Sequence, residues 1–437
     1  MYKFTMSAPG RVFLSGDPTR YNELCIAASL DQRTTLKFSS TRSSPQFSGY
    51  IEINFISIGL YTLIPLTVLR GLLVQGYLNS QLTEADLHDL VRNFVNSSSL
   101  MDVFGNNYDR NNRAHQLSLQ AFFLLLILIS RDGKTIISTQ SSFSVEISTE
   151  LAIGEGLGSS ASFATCLAAC FYRWLFQKGD VFDENDLVDI FSYVHKCERI
   201  IYNSPTGLID SVISVYGSIY VFQNKMPTNE FGNIPGMKIL LVSSNVSQKT
   251  ISEQNEQMEG MRLSYPFIES VQRNIDNVVD KFKDTLDDTE KKICQMEIDM
   301  IGLREEQKLD YLKDCCIQLV TLISMNQGLL RALGMSHPNL DVICAIAWQL
   351  SISFAGKLTN NGGGGYAFIL LSPDSPATHI NCILNELKSH NFSAQITNLN
   401  CNGVRNEPTL ANQQYEQVNI NIIKITLLQQ KCESWKK

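Results

Sequence analysis

The chain has 437 residues, 44% hydrophobic and 18% charged, enough to bury one large or two medium cores, which excludes a disordered chain. A formal charge of −7 argues against a general nucleic-acid or anionic-membrane binder, because both partners attract basic patches; a small anionic ligand stays open, since a local basic pocket fits inside an acidic protein. The eleven cysteines are scattered, with Cys315 and Cys316 adjacent and no CxxC or His-rich cluster, which fits reduced thiols in the cytoplasm, and the N-terminal MYKFTMSAPGRVFLSG lacks the apolar stretch of a signal peptide.

The first predicted element is a strand over KFTMSAPGRVFLSG, which alternates in the β manner; TRSSPQFSG then reads as a loop. The apolar run Ala121 to Ile129 is much shorter than the ~20 residues a bilayer requires, so it is expected to be a buried core helix. FSVEISTELAIG is a second strand, and Ser159 to Phe176 and Asp186 to Tyr202 carry apolar residues at helical spacing. FGNIPGMKILLVSS breaks at Gly and Pro and then begins a new apolar strand, which sets a domain boundary near residue 230. From Val271 to Leu333 the sequence is almost wholly helical, with KFKDTLDDTEKK as a solvated face, and GKLTNNGGGGYAFILL reads as a tight hairpin. The class is α+β, with no internal repeat.

One junction carries chemistry. AIGEGLGSSAS puts a glycine-rich loop directly before a helix, so backbone N–H groups and the positive end of the helix dipole face the same point. Gly156 and Gly158 let the backbone approach anionic oxygens, and Ser159 or Ser160 is placed to cap the helix, with a hydroxyl able to reach a metal ion. An ordinary capped helix after a flexible turn fits the same pattern. The loop is not a Walker motif, because GxxxxGK[ST] is absent. The glycines at 362–365 and SAPGRVFLSGD near the start are two more segments able to line a phosphate site.

These three segments, SAPGRVFLSGD, GEGLGSSAS and KLTNNGGGGYAF, resemble the three signature motifs of the GHMP small-molecule kinases. CERIIYNSPTGLID and LISMNQGLLRALGMSHPNLD resemble the mevalonate kinase subfamily in particular. The resemblance implies a two-domain GHMP kinase fold: a ribosomal protein S5 domain 2-like, ATP-binding N-terminal domain at 1–230 and a ferredoxin-like α/β C-terminal domain at 231–437, with an extra tail after about 405. It further implies transfer of the γ-phosphoryl group of ATP to the 5-hydroxyl of mevalonate with Mg²⁺, in a cytoplasmic homodimer with no nucleic-acid or membrane partner.

Carried over residue by residue, the resemblance makes Gly154, Glu155, Gly156, Leu157, Gly158, Ser159, Ser160 and Ala161 the loop that wraps the triphosphate, and Ser160 and Glu198 the Mg²⁺ ligands. Asp210 matches the catalytic base and Arg11 the catalytic cation of the first motif, while Asp17, Thr250 and Gly363 fall at the substrate. The chain departs from the subfamily in four places. Arg11 stands where a lysine is usual, Gly16-Asp17-Pro18 replaces Gly-Glu-His, GLID has one residue more than GVD, and Asn360-Asn361 replaces Gly-Ala. The extra residue is expected to be absorbed in a loop before Asp210. Two alternatives stay open on these departures: another GHMP kinase, acting on a sugar or on phosphomevalonate, and a nucleotide-binding pseudokinase.

Overall fold

The computed structural model describes residues 2–16, 24–41, 49–78, 82–97, 107–133, 142–204, 206–299, 305–350 and 354–407. Eight strands form a first sheet: β1 Tyr2–Gly16, β2 Leu24–Thr41, β3 Tyr50–Phe55, β4 Leu60–Pro65, β5 Ser142–Thr149, β6 Ile219–Gln223, β7 Met226–Glu230 and, far along the chain, β12 Arg405–Asn406. Its order is β12-β1-β2-β5-β3-β4, with β6 on the other half of β2 and β7 on β6; among the described residues only β3 and β5 pair in parallel.

Helices α1 Leu66–Leu78, α2 Glu84–Val95, α3 Arg113–Asp132, α4 Ser159–Leu175, α5 Glu184–Cys197 and α6 Gly207–Tyr216 belong to this half of the chain. Helix α3 holds the long apolar run, and Ala121 to Ile127 are buried. At twenty residues α3 is long and apolar enough to cross a membrane, more than the run alone led us to expect, but most of it packs inside the protein. Phe122 meets Phe171 of α4 edge-on at 5.2 Å, and Trp174 of α4 lies 5.0 Å from Phe38 of β2. Aromatic pairs of this kind add to the burial that fixes α4 on the sheet.

The second sheet has four strands, β8 Lys238–Ser243, β9 Ala355–Leu358, β10 Tyr366–Leu371 and β11 Ala394–Asn398, all antiparallel in the order β11-β8-β10-β9. Helices α7 Ile251–Ser264, α8 Ile268–Asp299, α9 Glu305–Ala332 and α10 Pro338–Leu350 connect β8 to β9, and α11 Ala377–Ser389 connects β10 to β11. With the helices between β8 and β9 taken as one crossover, this is the β-α-β-β-α-β arrangement expected of a ferredoxin-like half. The helical stretch predicted from Val271 to Leu333 is the α8–α9 pair, and Val279, Phe282, Leu286, Leu319 and Ile323 are among its buried residues.

The two sheets divide between β7 and β8, after which the chain crosses back once. Residues 399–407 run along the junction: Leu399 N–H donates to Met237 O, Asn400 N–H to Ser29 O and Val404 N–H to Val215 O, and Arg405 and Asn406 pair with Ser7 and Met6. The stretch just after 405, read from sequence as the start of an extra tail, therefore completes the first sheet as far as Glu407, whose N–H donates to Thr5 O. The remainder of that tail, 408–437, lies outside the described residues.

Candidate active site

Arg11 comes from the middle of β1, where the register against β2 shifts on either side of it. Gly10 before it has no room for a side chain, since a Cβ would collide with Leu151 and the Leu157 carbonyl. That close approach brings the second motif onto β1, with Arg11 N–H donating to Leu157 O at 2.9 Å. The Arg11 side chain is 3% exposed and lies over the Phe13 ring at 4.5 Å. Its Nε donates to Asp210 Oδ1 at 2.6 Å and its Nη2 to Asp210 Oδ2 at 3.1 Å and to Asn360 Oδ1 at 3.0 Å, while Nη1 donates to Gly156 O. One guanidinium thus touches all three glycine-bearing motifs and the α6 carboxylate.

Asp210 sits in the first turn of α6, 4% exposed, and also accepts from Thr206 Oγ1 at 3.1 Å. Gly207 to Asp210 are already helical, so the extra residue of GLID is taken up in that turn and not in a loop between glycine and aspartate. Gly207 lets the turn pack close to Glu198, because a Cβ there would strike the Glu198 Cβ.

In the second motif Gly154, Gly156 and Gly158 have φ of +77°, +78° and +75°, left-handed values that favour glycine, so three turns are possible in five residues. The sequence expectation that Ser159 or Ser160 caps α4 is corrected here. Gly158 is the N-cap, no side chain caps the helix, and both serines are its first helical residues. A Ser cap requires extended backbone, and the left-handed Gly158 has taken that position. The first intrahelical bond runs from Ser162 N–H to Gly158 O, so the amides of Ser159, Ser160 and Ala161 precede it at the positive end of the helix.

Glu198 opens a single π-type turn, Glu198–Tyr202, and is fully buried. Neither carboxylate oxygen has a partner meeting hydrogen-bond geometry. Burial, and after it the negative charge of Asp210, pushes its pKa up to about 8, with the Ser160 hydroxyl and the Arg11 charge acting in the opposite direction. A buried carboxylate without a donor is costly. A hydroxyl and a carboxylate are both oxygen donors of the kind Mg²⁺ takes, and Mg²⁺ needs only one or two protein oxygens when phosphates and water supply the rest. The described residues contain no group of three or more His, Cys, Asp or Glu that would hold a metal unaided.

The third motif is the β9–β10 hairpin, as expected, and its loop runs from Thr359 to Gly365. Thr359 Oγ1 accepts from Phe13 N–H at 2.9 Å, joining the hairpin to β1. The four glycines pack against neighbouring segments: Gly363 N–H donates to Met335 O, Gly365 N–H donates to Val246 O, and a Cβ on Gly363 would overlap Lys249. Gly363, expected at the substrate, is not on the cavity wall; Asn360 and Asn361 are. Thr250 is on the wall, and its Oγ1 accepts from Glu253 N–H as the N-cap of α7.

The cavity these loops surround measures about 610 Å³. Its lining is mixed: Arg11, Ser160, Thr206, Asp210 and Thr250 are among its polar residues, and Phe55, Ile58, Leu117, Ile147 and Phe163 among its apolar ones. Gly154, Gly156, Gly158 and Ser159 also line it, whereas Glu155, Leu157, Ala161 and Glu198 are not among its lining residues. Asp17 lies outside the described residues. Sequence reasoning missed the apolar lining residues, because core-like residues from β3, α3, β5 and α4 carry no local signal of a ligand. It also missed Gln248 and Lys249, whose only cue was their position just before Thr250.

Comparison with known proteins gives a consistent picture. Residues 125–218 match the family model for the GHMP kinases N terminal domain. Mevalonate kinase of Mus musculus is 25% identical over 409 residues, covering 91% of this chain and 94% of that protein. Mevalonate kinase of Candida albicans is 28% identical over 422 residues, covering 92% and 89%. The crystal structure of the Methanococcus jannaschii mevalonate kinase superposes with a TM-score of 0.60 at 18% identity, over 93% of this chain and 99% of that one.

Proposed function

The chain belongs to the GHMP kinase family, and on that premise we propose that it transfers the γ-phosphoryl group of ATP to the 5-hydroxyl of mevalonate, forming 5-phosphomevalonate. The observation that carries this reading is the Arg11–Asp210 pair, buried at 2.6 Å beside the glycine loop and the start of α4.

Such a transfer needs positioning and charge stabilisation more than covalent help from the protein. The apolar residues of the cavity lining suit a purine, and the left-handed glycine loop with the first amides of α4 suits its phosphates. Arg11 has five N–H donors, of which the four bonds to Asp210, Asn360 and Gly156 occupy four. The fifth, on Nη1, is left for a phosphoryl oxygen. Asp210 has about four acceptor directions and uses three, on Arg11 and Thr206. The fourth can accept the substrate hydroxyl and orient or take its proton.

Mg²⁺ is part of the proposal, held by Ser160 and Glu198, and supplies charge neutralisation at the phosphates. The fully buried Glu198 carboxylate, with only the Ser160 hydroxyl acting on it as a donor, supports it. A cytoplasmic homodimer is proposed on the same resemblance. The test is coupled ATP consumption over mevalonate, phosphomevalonate, galactose and homoserine. Turnover confined to mevalonate is expected. Preference for one of the others reassigns the substrate, and no turnover with any of the four points to a pseudokinase.

A further inference from the structure

Arg11 donates hydrogen bonds and accepts none, and this has consequences two residues away. Asn360 meets the Arg11 Nη2 at 3.0 Å. Facing a group that only donates, the Asn360 amide must present its oxygen. Its Nδ2 therefore points the other way, where it donates to Gln248 Oε1 at 2.9 Å. That bond in turn sets the Gln248 amide, whose Nε2 lies against Gly156 and Gly365, so that a Cβ on either glycine would overlap the side chain. A donor-only residue on β1 thereby fixes two amide orientations in succession, on the β9–β10 loop and on the segment before α7.

Asn360 is buried at φ +61°, a left-handed conformation that asparagine adopts more readily than most residues. It stands where the resemblance has glycine, and Arg11 stands where it has lysine. The two departures touch. An ammonium on a flexible stem can turn its three donors towards whichever acceptors lie near, but a planar guanidinium buried on Asp210 presents a second edge in a fixed direction that needs its own acceptor.

We propose that Asn360 is a positioning residue for phosphoryl transfer: it accepts from the outer edge of Arg11, holds the guanidinium flat on Asp210, and through Gln248 ties that pair to the glycine loops. Arginine at position 11 works only with an acceptor at position 360. This rests on the phosphotransfer reading above.

The test is a double-mutant cycle on the full chain with Arg11→Lys, Asn360→Gly and both together, reading kcat, the KM values for ATP and mevalonate, and the midpoint of thermal unfolding. Asn360→Gly keeps the left-handed backbone available and is expected to lower kcat at least about tenfold, with a smaller change in the KM for mevalonate. In the Arg11→Lys background the same substitution is expected to cost less than about threefold, because the lysine has no second edge to satisfy. Asn360→Asp, which retains an acceptor for Arg11, is expected to recover most of the rate that Asn360→Gly loses.

Equal losses in both backgrounds overturn the proposal, as do an unchanged kcat in Asn360→Gly and equal losses in the Gly and Asp variants. If the unsubstituted chain turns over none of the four alcohols, the functional reading fails. The midpoints then still decide whether residues 11 and 360 are coupled: non-additive shifts support the contact, and additive shifts overturn it.

Discussion

Glu198 shows how much one side chain can report. Its pKa stands at about 8 against an ordinary 4.5, for reasons of burial and the neighbouring Asp210. The folded chain therefore holds a proton that the unfolded chain releases above about pH 4.5. The stability tied to this group is complete below that pH, falls as the pH rises towards 8, and is level above. Glu198→Gln removes the titration. In metal-free buffer the unfolding midpoint of the wild type is expected to drop by several degrees more than that of Glu198→Gln between about pH 5 and pH 8.5, at roughly 2–4 °C per kcal/mol. Parallel pH profiles would show that Glu198 titrates normally. MgATP should bind more tightly as the pH rises through the same window, because a cation favours the deprotonated carboxylate.

At the scale of elements, the clearest lesson is the start of α4. The run GEGLGSSAS announced a loop against a helix, and it did so for a physical reason: only glycine adopts three left-handed turns in so few residues without strain. Which residue caps the helix was not readable, because serine and glycine both suit the N-cap and the choice depends on a backbone angle. The answer sharpens a prediction. Since Ser160 caps nothing, Ser160→Ala is expected to keep the fold, with any loss of stability coming from the Glu198 contact alone, and to weaken MgATP binding at least about tenfold while leaving adenosine binding unchanged. Titration calorimetry with both ligands distinguishes a metal-binding hydroxyl from a structural one; equal affinities for MgATP would remove Ser160 from the site.

The run MNQGLLRALGMSH is a second case. Its membership of a helix was evident, but its task was not. Asn326 Oδ1 accepts from Gly16 N–H at the end of β1, Gln327 Oε1 accepts from Leu358 N–H at the end of β9, and Met335 O accepts from Gly363 N–H. The segment fastens the first motif to the third. No periodicity can announce a bond whose partners lie about 310 positions away. The same holds for α6, where the fourth residue of GLID is accommodated by a helical turn that sequence reasoning had drawn as a loop.

For the whole molecule, the site exists only because two sheets and a returning strand hold distant segments together. Arg11 meets Asp210 across 199 positions and Asn360 across 349. Each motif was readable alone, through its glycines; the cavity's apolar wall was not, because its residues serve the core on one side and the ligand on the other. Residues 399–407 seal the junction, with Arg33 donating to Asn402 O and Gly403 O and Gly403 packed so closely on Val215 that a Cβ would overlap the Val215 carbonyl. Since Val215 lies in the last turns of α6, the strap fixes the far end of the helix whose first turn carries Asp210.

The account depends most on Asp210, the carboxylate that this architecture delivers to the cavity wall. Asp210→Asn preserves shape and the bond from Thr206, but it removes the charge that draws a proton from an alcohol, a loss on the order of a hundredfold or more for a general base. The most direct measurement is phosphorus NMR of mevalonate with MgATP, run side by side with the wild type and Asp210→Asn at equal bound nucleotide. The account predicts ADP and a new phosphomonoester in equal amounts from the wild type, and formation at least about a hundredfold slower from the variant. Equal rates from the two proteins, or ADP and inorganic phosphate without a phosphomonoester, would contradict it.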